Sequence, residues 1–275
     1  FRRVGLFSAL MHASWNFLIK KSPDKLLDTA SRALGGSVLA VFLLPWFPLP
    51  AEAARPWLAI SVFVHIAYFM ALVESYRHAD LSMAYPLMRG MAPLLVVLAA
   101  PLFGEAITLS LMIGVALVGA GIMLPAVIGL RAGAVRKAGI YFAVGNSLII
   151  ALYTVIDGIG VRLAGDAASY TLWLFFLDSW GIMGIAVWRK KGLIIQHLRQ
   201  RWAFALSGAV LTTGSYGIVL WAMSVASIPA VAALRETSVI FAALMGSLLL
   251  KEPMGRLRVA GAMLISLGAA AIRWA

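Results

Sequence analysis

Within "AYPLMRGMAPLLVVLAA", residues 84 to 100, a permanently charged guanidinium, Arg89, stands in a run otherwise apolar enough for hydrocarbon. Pro93, four residues on, lacks an N–H, so the carbonyl of Arg89 has no helical donor and the helix is expected to break or kink at the charge. Such a group is tolerated at membrane depth only against protein or a watery cavity, with polar partners nearby. A shift of 147 residues carries Arg89 onto Glu236, whose neighbour is Arg235. Two readings of these charges stand side by side. They neutralise each other and fix how the fourth helix packs on the ninth, or they bind a charged or zwitterionic substrate, with Glu236 carrying a coupling proton.

Other polar side chains fall at helical spacing. Ser8, His12, Asn16 and Lys20 recur every four residues with Trp15 beside them, and Asn146, Tyr153, Thr154 and Asp157 cluster toward one face of a later helix. His12 and Asn16 read equally as site residues or as interhelical hydrogen-bonding glue. Lys20 and Asp157 sit near expected helix ends, where snorkelling is the expectation. Tyr68, Tyr85, Tyr153, Tyr216, Trp15 and Trp221 either line an aromatic pocket that holds a cationic amine over ring faces or form an interfacial belt. Asp178 has no assigned role. An intramembrane enzyme would need a nucleophile and base or a metal cluster. There is no HExxH, no cysteine and no ligand spacing among the histidines at 12, 65, 78 and 197, so neither enzyme nor cofactor is expected.

The elements that carry these residues must be membrane helices. The chain has 275 residues, 62% hydrophobic and 12% charged, with a mean hydropathy of +0.94, well beyond a soluble domain. Apolar stretches long enough to cross about 30 Å of hydrocarbon follow one another with short breaks. Ten helices are predicted, over 4–20, 29–48, 57–78, 82–103, 108–129, 138–162, 168–189, 202–226, 229–250 and 256–273. The first runs on without a small-residue cleavage site, so a removed signal peptide is not expected.

The two halves repeat. "LFGEAITLSLMIGVALVGAGI" aligns with "LLKEPMGRLRVAGAMLISLGA", placing Glu105 on Glu252, Gly114 on Gly261 and Gly121 on Gly268 at a constant 147 residues. Five helices per half is an odd number, so the halves, 1–130 and 137–275, are expected to cross the membrane in opposite senses. That is the inverted-repeat plan of secondary transporters. Ala116 and Ala120, with Ala262, Ser266 and Ala270, are small residues four apart and predict close packing of the fifth and tenth helices. Glu105 and Glu252 are expected to cap or brace the turns into those helices.

Charge predicts the orientation. Sixteen of the 23 Lys and Arg residues fall on the odd-numbered connections, among them "WRKKGLIIQHLRQRW", and five on the other side. The odd connections are therefore expected in the cytosol and both termini outside. The net charge of +12 is read as contact with anionic lipid headgroups, not with nucleic acid.

With these pieces in place, "HASWNFLIKKS", "LFGEAITLSLMIGVALVGAGIML" and "ETSVIFAALMGSLLLKEPMGRLRVAGAMLISLGAAAI" resemble the EamA-type drug/metabolite transporter family over essentially the whole chain. The resemblance implies an all-α, ten-helix carrier of two inverted five-helix repeats in the bacterial inner membrane. It also implies a small-molecule substrate, often an amino acid moved outward. The resulting expectation is an alternating-access exporter of a small polar metabolite, an amino acid or related amine, with protons as a possible coupling ion and lipids as neighbours. A lipid or headgroup flippase is the alternative.

Overall fold

The computed structural model describes residues 7–15, 24–78, 81–131, 137–190, 192–250 and 255–272. Among them the chain is all helical. A helical run over 7–15 (α1) is followed by α2 (Lys25–Leu43), α3 (Arg55–His78), α4 (Leu81–Ala99), α5 (Leu109–Arg131), α6 (Lys137–Leu163), α7 (Ala167–Lys190), α8 (Leu193–Val225), α9 (Ile228–Arg235), α10 (Ser238–Leu250) and α11 (Arg256–Ile272). Among the described residues six segments are long and apolar enough to span a membrane, and the apolar helices over Leu109–Leu124 and Val259–Ile272 are shorter. Phe42, Phe63, Leu98 and Leu248 are exposed, which suits a chain solvated by lipid tails.

Packing divides the chain into two compact units. One comprises Phe1–Ile66 and Ile156–Val225, the other Ala67–Val155 and Ala226–Ala275. In the first unit α2 packs against α7 and α8. The carboxylate of Asp24 starts α2 by accepting the N–H groups of Leu26 and Leu27, each at 3.1 Å, which satisfies two donors that a helix start leaves over.

The second unit is built on α4, α5, α9 and α11, whose Val97, Leu111, Val115, Val118, Ile122, Ala233, Ile265 and Ile272 form one buried cluster. Here α5 and α11 meet backbone to backbone. A Cβ on Gly121 would lie 2.6 Å from the Gly261 oxygen, and one on Gly268 would lie 2.5 Å from the Gly114 oxygen. Only hydrogen fits at these crossings. The contacts pair 114 with 268 and 121 with 261, so the two helices run antiparallel. The small-residue face expected from Ala116, Ala120, Ser266 and Ala270 is a different one: those four are exposed, because the glycines already set the closest approach.

Three further expectations are corrected. The stretch predicted as one helix over 229–250 is two, α9 and α10, with a two-residue turn at Glu236 and Thr237. Of the break or kink expected at Arg89, the break does not occur: α4 runs through Pro86 and Pro93 to Ala99. The loss of one donor at Pro93 does not stop it, and close seating of Gly90 against Gly119 of α5, with a Cβ on either meeting the other's oxygen at 3.0 or 2.9 Å, holds that segment in place. Finally, the basic connection at 193–201 is the start of α8, which bends where Arg201 leaves helical geometry (φ −127°, ψ 27°).

Candidate functional site

The turn between α9 and α10 follows from its residues. Thr and Ser side chains compete with helix backbone for hydrogen bonds. The Thr237 hydroxyl donates to the Leu234 carbonyl at 2.7 Å, and the Val239 and Ile240 N–H groups donate to the Glu236 and Thr237 carbonyls at 3.0 and 2.9 Å. These are the tight three-residue bonds of a 3₁₀ turn. At the other end of α9, Gly104 adopts a left-handed conformation (φ 79°) after the 3₁₀ turn Ala100–Phe103, and the chain then presents Glu105. Its carboxylate accepts the Ser227 hydroxyl at 2.7 Å and the Ile228 N–H at 3.0 Å. Glu105 therefore caps α9 and not the turn into α5 as expected; an anion there satisfies the positive end of the helix. Glu252 lies outside the described residues.

The turn delivers charge into the second unit. Glu236 is fully buried, 2.9 Å from the Nε of Arg89 on α4, and accepts from the Nε of its neighbour Arg235 at 3.4 Å. Both arginines are buried as well. The Arg235 guanidinium carbon lies 6.0 Å from the centroid of the Tyr153 ring, which meets Tyr68 edge-on at 5.6 Å. Asn146 is also fully buried; its amide N–H points at the sulfur of Met88 at 2.9 Å, while its oxygen has no hydrogen-bond partner among the described residues. Six of the twelve residues singled out from sequence thus belong to this unit: Arg89, Glu236, Arg235, Tyr153, Tyr68 and Asn146.

Four others belong to the first unit. Trp15 packs on Phe204 with ring centroids 5.9 Å apart, lies under Arg32 at 5.5 Å and fills the space beside Gly208. His12 is half-buried, Trp221 is exposed and Tyr216 bonds to Asp157. Asn16 and Lys20 lie outside the described residues, as does the side chain of Tyr85.

Asp157 departs from the expectation for it. In place of snorkelling it is fully buried, because Ser61, Tyr170 and Tyr216 all donate to its carboxylate and His65 Nε2 stands 3.9 Å away. These partners come from α3, α7 and α8, separations that helical spacing within α6 cannot reveal. Asp178, which had no role, is buried beside Ser179; the Ser179 hydroxyl donates to the Ala33 carbonyl of α2 at 2.6 Å. At the start of α2, Asp28 accepts from His197 at 2.6 Å and from Arg201 at 3.0 Å, tying the bent start of α8 to α2.

Comparison with known proteins adds the following. The model of the EamA-like transporter family matches residues 137–274. Comparison with curated proteins finds no match. Among solved structures, one crystal structure is similar at 16% identity and a TM-score of 0.73, covering 98% of this chain and 94% of that one; at that identity the likeness concerns the fold alone.

Proposed function

Because this chain belongs to the EamA-like transporter family, and is therefore a multi-pass membrane transporter, we propose that it carries a small polar metabolite, an amino acid or related amine, by alternating access. The observation that carries this reading is the Arg89–Glu236–Arg235 cluster, buried in the second unit at a turn that interrupts an apolar helix. Ionisable groups at membrane depth are costly and mark substrate pathways. An interrupted helix is where transporters present polar backbone to cargo. The guanidiniums suit a carboxylate, Glu236 suits an amine, and the Tyr153 and Tyr68 rings suit the face of a cation. The constant 147-residue repeat and the reciprocal glycine contacts of α5 and α11 support two inverted five-helix halves. The bias of basic residues supports placing the odd connections in the cytosol; the bacterial inner membrane and outward transport are part of the same family reading.

A thermal-shift screen of the purified protein against a metabolite library at two pH values tests the site. Amino acids or amines are expected to raise the melting temperature of the wild type, and Arg89→Ala and Glu236→Gln are expected to lose that shift while remaining folded in the membrane. Ligand-induced shifts unchanged in both variants would remove the cluster from the site.

A further inference from the structure

We propose that Asp157 is a proton-binding site, distinct from the Arg89–Glu236 cluster, at which the chain takes up its coupling ion. As a statement about coupling it rests on the carrier reading above; as a statement about proton binding it does not.

Among the described residues three acids, Glu236, Asp28 and Asp157, have no exposed surface. Glu236 is matched by two permanent cations and Asp28 contacts Arg201. Asp157 is as buried as the other two, yet its partners among the described residues are three neutral hydroxyls and one imidazole. A carboxylate without a fixed counter-charge is expensive inside a protein. Hydroxyls lower that cost without fixing the charge, since each can donate to a carboxylate or rotate to accept from an acid. The site can therefore hold either form. The imidazole has the same latitude: His65 Nδ1 lies 3.0 Å from the Ser61 carbonyl, to which it donates, leaving Nε2 toward Asp157.

Asp178 on α7 is in electrostatic reach of Asp157, and Asp178 is itself in reach of Arg32 on α2 and of His65. Tyr170 and Ser61 are buried, whereas Tyr216 is half-buried, so the proton's path to the carboxylate is assigned to the Tyr216 hydroxyl. Uptake converts the carboxylate to the neutral acid, and release restores it. Because Asp157 on α6 is bonded to α3, α7 and α8, that change in charge is felt by four helices at once. An ionisable group in this setting is the kind used in proton relays.

Infrared difference spectra of the purified full chain in lipid, recorded between neutral and acidic pH, read the proton directly and need no substrate. The wild type is expected to gain a carboxylic-acid C=O band that Asp157→Asn loses and Glu236→Gln keeps. Tyr170→Phe and Tyr216→Phe retain the acid but remove a hydroxyl, so each is expected to shift the band to higher frequency, which a merely structural tie would not do. A wild type with no such band while folded, or a band that survives Asp157→Asn, would overturn the proposal. Should Asp157→Asn fail to fold, an unshifted band in both tyrosine variants overturns it equally. A proton band without any substrate-induced thermal shift would support this site and count against the Arg89 cluster.

Discussion

Glu236 is held by Arg89 on α4 and by Arg235, so Glu236→Gln leaves two buried guanidiniums without their anion. Removing one member of a buried ion pair costs about 3–5 kcal/mol. Chemical unfolding in detergent should show a loss of that order, against little loss for a change at exposed Trp221. Asp24 gives a milder, pH-dependent effect. Burial pushes its carboxyl up, but the hydrogen bond and charge of Lys190 at 2.7 Å and the Leu27 and Leu26 N–H groups outweigh burial and hold it below its ordinary 3.8. A lowered acid stabilises the fold in its charged form, so its contribution is complete above that ordinary value and fades as pH falls through the lower folded one. The pair is partly exposed, which limits the contribution to about 1 kcal/mol after screening. Melting curves of wild type and Asp24→Ala should therefore differ at neutral pH and converge in acid.

At the scale of elements, α5 and α11 cross with backbone against backbone. A side chain on Gly121 meets the Gly261 oxygen at 2.6 Å, backbone that cannot step aside. Gly121→Leu is expected to cost at least about 1–3 kcal/mol, the usual overpacking range, read as a lower melting temperature. Ala120→Leu, on an exposed face one residue away, should leave it nearly unchanged. The repeat that aligns Gly114 with Gly261 and Gly121 with Gly268 was legible in the sequence, but which small residues touch was not. Ala116 and Ala120 satisfy the same four-residue rule as a packing face, and periodicity alone cannot say which stripe faces protein and which faces lipid. The break in helix 9 was hidden for a similar reason: "RETS" carries no proline, while Pro93, which advertises a break, sits in a continuous helix.

For the whole molecule, the orientation expected from its basic connections is open to a direct test. The chain has no cysteine, so single cysteines report without background. Arg199→Cys should react with an impermeant thiol reagent only from the cytosolic side and Glu52→Cys only from outside; both residues are exposed. The opposite pattern would invert the topology.

Composition and spacing determined by themselves that this is a helical membrane chain with charges out of place in hydrocarbon, and the 147-residue shift is itself a property of the sequence. Those properties are written along the chain, where helical period and span length are local quantities. The three-dimensional arrangement alone decided that Glu236 sits against Arg89 at a turn, that Glu105 caps a helix 123 residues away, and that Asp157 collects hydroxyls from three other helices. Hydrogen bonds and ion pairs between distant segments depend on which faces meet, and in a chain apolar on nearly every face, hydrophobic pattern does not tell one face from another.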